Sequence, residues 1–491
     1  MADHDAGGSL TRRSFTKVLA AGALVAGFNT ATRGWVAPAG AAPGPDFAPL
    51  PPLDGTLHLD DATRTAYAED FGQIVRERPL AVLRPGSVED VARMVRFARR
   101  HDLRLVARGA GHATFGQAQA TGGIVVDLSP LAGIEAWGAD RVVVGAGIRW
   151  RTLLAATLAR GLTPPVLTDY LNLSVGGTLS VGGIGGMSFR HGAQVDHVLA
   201  LRVVTGAGEI ATCSADERRD LFEAALAGQG QCAIIVGVTL RLIPAPTHVR
   251  AFNLAYPDFP TMARDARRLI TDGRFAHIAC WLFPAPDGRW TPLLEAVTYF
   301  TPPTRPDDNA LLAGLGFIPG AVAIAEQDYL AWSDRVPDQP KEGHPWIDLF
   351  VPWSAAEAFV AAAQPTLVPF ASDDRFSLLM IPMRRSRLTR PLFRVPDEAD
   401  LLHFGTLRFC PVDLALLARI VAFNQGLVAR NWALGGTHYP IGTAQLSRQD
   451  WRRHYGTQWG RLVAAKRRYD PDNILASGPD IFGRGGEADE G

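Results

Sequence analysis

The sequence predicts an α+β fold, and three observations carry that reading. Short strand-like runs alternate with helical ones, but without the even strand-helix repeat of a doubly wound sheet. Glycine is abundant, 50 of 491 residues, and is densest between Ser174 and Gly186, where turns rather than long elements are encoded. Hydrophobic residues make up 47% and charged residues 20% of the chain, the balance of a globular protein and not of a disordered or coiled-coil one.

The elements follow in order. Leu80-Ala81-Val82-Leu83-Arg84-Pro85 is a strand stopped by proline, and Ser87 to His101 is a helix with a serine cap and acidic residues in its first turn. Leu105 to Arg108 is a strand, Gly109 to Gln119 a loop, Gly123 to Leu128 a strand, and Arg141 to Val144 a strand running into Gly145-Ala146-Gly147. That last stretch imitates a dinucleotide fingerprint and fails its test: Trp150 stands where the third glycine belongs, and no strand with an acidic end follows. From Thr163 to Pro246 the run Ser174-Val175-Gly176-Gly177-Thr178-Leu179-Ser180-Val181-Gly182-Gly183-Ile184-Gly185-Gly186 lacks the Cβ atoms that keep backbone away from a ligand. Tight turns between buried strands are the other reading of the same residues. Val198 to Gly206 leads to a hairpin turn at Thr205-Gly206-Ala207-Gly208, and strands follow at Cys232 to Val236 and Thr239 to Ile243.

Proline-bounded sequence at 244 to 257 marks a domain boundary. Beyond it, to Phe409, helical runs (Met262 to Ile270, Ala355 to Gln364) mix with aromatic-rich strands (Ala279 to Pro284, Phe376 to Pro382), as in a second α+β lobe. Trp451 to Arg468 reads as one amphipathic helix closed by Tyr469-Asp470-Pro471, and Gly483 to Gly491 as a disordered tail.

The 49 basic and 49 acidic residues cancel, which removes any electrostatic reason to expect nucleic acid or an anionic membrane as partner. Cys213, Cys232, Cys280 and Cys410 lie far apart with no CxxC pair, so no metal site is expected and they read as small buried residues, one disulfide remaining open. Thr11-Arg12-Arg13-Ser14-Phe15-Thr16-Lys17, the apolar run Val18 to Phe28 and small residues at Ala37 to Ala42 have the order of a twin-arginine export signal within residues 1–45. The mature protein is then expected to be periplasmic or secreted. No other apolar run approaches the roughly 18 residues a bilayer span requires, so no membrane is expected after signal removal.

Arg108-Gly109-Ala110-Gly111-His112-Ala113-Thr114 places a histidine after two glycines on a strand-to-loop turn, where backbone N–H groups converge in the manner of a phosphate nest. Alone, such a histidine is more often a solvated or hydrogen-bonded bystander. In company with Thr168 to Gly186 and Gly228 to Val236, however, it resembles the PCMH-type FAD-binding domain of the vanillyl-alcohol oxidase superfamily, and specifically cytokinin dehydrogenase and its bacterial relatives. The resemblance extends through Gly116-Gln117-Ala118-Gln119-Ala120, Thr168-Asp169-Tyr170-Leu171, Phe189-Arg190-His191-Gly192, Val203-Val204-Thr205-Gly206, His344-Pro345-Trp346-Ile347-Asp348-Leu349-Phe350-Val351-Pro352 and Tyr469-Asp470-Pro471.

The resemblance implies an FAD-binding domain in two parts, 46–246 and 430–491, around an inserted substrate-binding lobe of 247–429. It implies FAD bonded through its 8α-methyl group to His112, by a single linkage, since no cysteine lies between Thr163 and Gly186. Contacts to the cofactor are implied for Gly109, Ala110, Gly111, Ala113, Gln117, Ala118, Asp169, Ser174, Ser180, Ile184, Ile234 and Tyr439. Pro479 stands where the family places a flavin-contacting glutamine. Asp169 matches the family's base, which takes a proton as hydride leaves for the flavin. The implied activity is oxidation of an amine or alcohol carbon of a small molecule, with oxygen or another small acceptor reoxidising the flavin. Cytokinin side-chain cleavage and flavin binding without turnover are the alternatives. Against cytokinin stands Ala279, which occupies the place of the family's purine-binding acid; a site that loses such an acceptor loses selectivity. His277, Cys280, Trp281 and Trp346 either line a different pocket or belong to the core.

Overall fold

A computed structural model of the chain describes residues 50–120, 122–285, 287–367, 375–475, 478 and 481–483, with the backbone of 27–29 and 34–36. The twin-arginine motif, Pro479 and the acidic tail beyond Gly483 lie outside the described residues.

The N-terminal half is built on two sheets. Four strands run in the order Thr56–His58, Ala81–Arg84, Ile124–Asp127, Leu105–Arg108, with the last three parallel. The helix Val88–Arg100 covers them: the Ser87 hydroxyl accepts the Asp90 N–H at its start, and Val91, Met94, Val95 and Ala98 recur at helical spacing and are fully buried. They pack on Leu83, Leu105, Ile124 and Val126, and each of the larger side chains contributes about 1.5–3 kcal/mol by leaving water. The second sheet is antiparallel, in the order Ile210–Ser214, Val198–Thr205, Ala233–Arg241, Arg141–Gly145, Ile134–Trp137.

Two sequence expectations are corrected here. Cys232 to Val236 and Thr239 to Ile243 are not two strands: Ala233–Arg241 is continuous, and Gly237 pairs with Gly145 on one side and Arg202 on the other. The missing side chain makes room for Arg202, whose Nε would lie 3.2 Å from a Cβ at 237. Likewise Trp451 to Arg468 is two helices, Arg448–Tyr455 and Trp459–Tyr469, because Gly456 takes a left-handed φ of 50° and ends the first.

The second lobe is an eight-stranded antiparallel sheet, ordered Val322–Asp328, His248–Ala255, Trp290–Phe300, His277–Pro284, Ser377–Arg384, Asp400–Leu407, Ile347–Pro352, Thr437–His438. Alternation along its strands separates two faces. Ile278, Cys280, Leu378, Met380, Leu402 and Phe404 pack under the helices Phe259–Asp272 and Trp353–Leu367. Ala279, Leu379, Ile381 and Phe350 turn the other way and join the core of the glycine-rich half through Val144, Ala146, Leu171 and Leu179. The helix Leu414–Ala433 leads into Thr437–His438, so this sheet draws its last strand from beyond residue 430. All four cysteines are free and buried, and among the described residues no group of histidine, cysteine and carboxylate side chains is placed to hold a metal. No described helix is long and apolar enough to cross a membrane.

Candidate active site

A long cavity with about 1800 Å³ of empty space, its mouth included, runs between the two glycine segments and the inward face of the eight-stranded sheet. Its walls contain Gly109, Ala110, Gly111, His112, Ala113, Gln117, Ala118, Asp169, Ser174, Ser180, Ile184, Ile234 and Tyr439, so the chain brings together every residue to which the resemblance gave a cofactor contact or the catalytic role. Of the further candidates, Trp346 lines the cavity; His277 and Trp281 do not, Trp281 packing against the core, and Cys280 faces the opposite side of the sheet.

The two glycine segments meet at Gly109 and Ser174. A Cβ at Gly109 would overlap the Ser174 hydroxyl, which instead accepts the Ala110 N–H at 3.2 Å. Gly183, with φ of 76°, donates its N–H to the Tyr439 Oη at 3.0 Å and so binds the C-terminal part of the chain to the cavity floor. Beneath the histidine loop the Asp70 carboxylate accepts N–H groups of Ile74, Val75 and Gly116 at 2.9, 3.2 and 3.0 Å. Burial pushes that carboxyl up to about 6 in spite of these bonds.

His112 sits in an aromatic column. Its ring stacks on Phe71 at 3.8 Å and on Tyr170 at 4.9 Å, Phe71 continues the stack to His344 at 4.2 Å, and Trp346 meets His112 edge-on at 5.8 Å. Burial, with a smaller push from His344 and Arg149, holds His112 down to about 3. The imidazole is therefore neutral at any ordinary pH and keeps a nucleophilic lone pair.

Asp169 stands on the adjoining turn, where the Thr168 hydroxyl donates to the Tyr170 carbonyl at 2.8 Å and the Tyr170 hydroxyl to Asp338 at 2.9 Å. Its Oδ1 lies 3.6 Å from Arg335 Nη2, which also binds Glu295 Oε1 at 2.8 Å. Arg335 comes from the residues just after the helix Tyr329–Ser333 and lies over the Trp332 ring at 4.3 Å. Glu295 is directly opposite Ala279 in the sheet. Burial raises the Glu295 carboxyl and Arg335 opposes that rise. Behind it His277 Nε2 lies 3.6 Å from Glu295 Oε1, its ring pressed onto Gly186, whose missing side chain leaves the room.

Neither Glu295 nor Arg335 was legible as a site residue. Glu295 is one polar position in an alternating strand, and only the register places it beside Ala279. Gln229 was missed as well: it lines the cavity at a positive φ of 56°, and its buried Nε2 has no partner among the described residues. An orphaned donor, a glycine cradle closed to any Cβ and a neutral buried imidazole all suit a large ligand with phosphate and heterocyclic acceptors, and FAD has that chemistry.

Comparison with known proteins agrees. Residues 79–214 match the FAD binding domain family, and residues 293–482 match the family described as cytokinin dehydrogenase 1, FAD and cytokinin binding. The chain is 35% identical to an oxidoreductase, ORF5 of the fasciation locus of Rhodococcoides fascians, over 87% of this chain and 99% of that protein. It is 34% identical to cytokinin dehydrogenase 1 of Oryza sativa subsp. japonica, over 89% of this chain and 94% of the other. The crystal structure of 6-hydroxy-D-nicotine oxidase from Arthrobacter nicotinovorans shares the fold, with a TM-score of 0.69 at 22% identity across 88% of this chain and 98% of that one.

Fold and site thus define an FAD-dependent oxidoreductase acting on a small molecule. The chain belongs to the family of FAD-binding oxidoreductases that includes the cytokinin dehydrogenases.

Proposed function

We propose that this enzyme oxidises an amine or alcohol carbon of a small molecule, with Asp169 as the proton acceptor and FAD held covalently at His112. The observation that carries the reading is the meeting of two groups on one cavity wall: a neutral histidine in an aromatic stack, and a carboxylate on the next turn held through one oxygen by Arg335. FAD supplies the hydride acceptor when bound. The residues Gly109, Ala110, Gly111, Ala113, Gln117, Ala118, Ser174, Ser180, Ile184, Ile234 and Tyr439 hold it. Asp169, whose Oδ1 faces Arg335, takes the N–H or O–H proton of the substrate as the C–H bond breaks. Oxygen or another small acceptor closes the cycle.

The test has two arms. Acid precipitation of the unmutated protein should leave the yellow colour with the polypeptide, and His112→Ala should release it; free flavin from the unmutated protein sinks the covalent link. A panel of amines and alcohols, scored by anaerobic bleaching of the flavin, identifies the substrate, and a panel without any bleaching favours flavin binding without turnover.

Cleavage of the N6 side chain of isoprenoid cytokinins is the second reading, and Glu295 favours it. The strand that lost an acid at Ala279 has a carboxylate opposite that very position, one strand away and tied to Asp169 through Arg335. Bleaching by isopentenyladenine, abolished in Glu295→Leu, supports it.

The export reading of residues 1–45 belongs to the same proposal. Arg12→Lys with Arg13→Lys should retain the protein in the cytoplasm, as measured by fractionation; unchanged export of the double variant counts against the twin-arginine route.

A further inference from the structure

The inward face of the eight-stranded sheet carries a polar pair that the proposed chemistry does not use. Asp348, on Ile347–Pro352, and His403, on Asp400–Leu407, both line the cavity. They are 7% and 4% exposed, and His403 Nε2 lies 3.0 Å from Asp348 Oδ1. The register explains the meeting. Asp348 stands opposite Gly405 and His403 opposite Phe350, which makes Asp348 and His403 diagonal neighbours on one face. Gly405 keeps the space open, since a Cβ there would come within 2.9 Å of the His403 ring and 3.0 Å of Asp348 Oδ1.

A carboxylate only accepts, so in the neutral imidazole the shared hydrogen belongs to His403 Nε2 and the other ring nitrogen, Nδ1, is an acceptor. That atom is buried and no described residue bonds to it. An acceptor stranded in this way is costly unless the molecule that fills the cavity supplies a donor. The carboxylate behind the ring makes Nδ1 a better acceptor still. His403 is also far from the Asp169 cluster. The strands of Glu295 and His403 are three strand spacings apart, about 14 Å, and Leu379 and Ile381 lie on the wall between them. The wall thus has an apolar middle and a polar group at each end.

We propose that Asp348 and His403 form a second anchor of this cavity, in which His403 Nδ1 accepts a hydrogen bond from an N–H or O–H of the molecule lying against the sheet. The donor is either the edge of the flavin ring or a substrate heterocycle. It orients that molecule while Asp169 works at the opposite end. The inference rests on FAD and substrate meeting in this cavity, as the proposed function has it.

The test uses the FAD-loaded enzyme and its His403→Leu and His403→Gln variants, the second of which restores an acceptor. Asp348→Leu, which strips the carboxylate behind the ring, stands in if leucine at 403 prevents folding. Without substrate, the absorption maximum and midpoint potential of the flavin are recorded; adenine, a probe with ring N–H donors, is then titrated by calorimetry. A changed spectrum or potential in His403→Leu, reversed in His403→Gln, assigns the donor to the flavin. An unchanged flavin with adenine bound at least tenfold more weakly, again reversed by glutamine, assigns it to the substrate. A folded His403→Leu enzyme unchanged in all three measurements overturns the proposal. Failure of the oxidation reading is a different result, an unmutated flavin that no substrate bleaches.

Discussion

Arg335 Nη2 lies 3.6 Å from Asp169 Oδ1, an ion pair between the substrate lobe and the glycine-rich half. The guanidinium is itself held, with Nη1 donating to the Trp332 carbonyl at 3.2 Å and Nη2 shared with Glu295 at 2.8 Å. Arginine suits the place because its planar fork serves several partners at once. Its role toward Asp169 is positioning: it fixes one oxygen and leaves the other for substrate.

Asp169→Asn should therefore keep its flavin and slow flavin reduction by about 10²- to 10⁴-fold, the usual worth of a general base. Arg335→Met removes the ion-pair partner of Asp169 and should slow the same step by less than Asp169→Asn does, with Arg335→Lys recovering only part. Stopped-flow bleaching measures both. Full-speed reduction in Asp169→Asn would remove this carboxylate from the chemistry.

Attachment of FAD at His112 should be insensitive to pH across the range in which an ordinary histidine titrates. A free imidazole becomes protonated below about 6.5 and loses its lone pair, but burial holds His112 down to about 3. Incubating unflavinylated protein with FAD between about pH 5.5 and 8 should give covalent incorporation at a nearly constant rate. A rate that halves near pH 6.5 would show that His112 is solvated in the protein awaiting its cofactor.

Stability should fall in mild acid. His277, His438 and His454 are buried, and burial depresses all three, His438 to about 4. The unfolded chain takes up protons on these rings below about 6.5 while the folded chain does not, so the folded state is favoured fully above that pH and loses ground as pH drops. Each ring costs up to about 1.4 kcal/mol per pH unit within its window. Urea midpoints from neutral pH down to about 5 should decline, and His438→Phe should flatten the decline; a midpoint that holds level would contradict the burial of these rings.

Lys466→Met should destabilise the protein by about 3–5 kcal/mol, the usual penalty for removing one partner of a buried pair. Lys466 Nζ donates to Asp470 Oδ2 at 2.6 Å and to the carbonyls of Gln231 and Leu475 at 2.9 and 2.8 Å, tying the last helix to the strand Ala233–Arg241 and its approach. Asp470 alone would remain buried, with only the N–H groups of Ile474 and Leu475 to satisfy it. Chemical denaturation reads the loss; a drop under about 1 kcal/mol would mean that water replaces the ammonium.

By itself the sequence determined the parts of this protein whose chemistry is local. The serine-capped helix Val88–Arg100, the histidine turn after Leu105–Arg108 and the glycines of Ser174 to Gly186 are set by φ/ψ preferences and short-range hydrogen bonds, while His112 and Asp169 were singled out only through the family resemblance of the segments that hold them. Even there, a glycine could not be assigned to a turn or a strand without its neighbours: Gly237 lies in a continuous ladder and Gly456 ends a helix. The tertiary structure alone decided Glu295 beside Ala279, Arg335 against Asp169, and Asp348 with His403. A strand's alternation tells which of its residues share a face. Which strand lies next to it, and in what register, follows from packing across the whole sheet, and a one-residue slip would have turned Glu295, Asp348 or His403 to the other side.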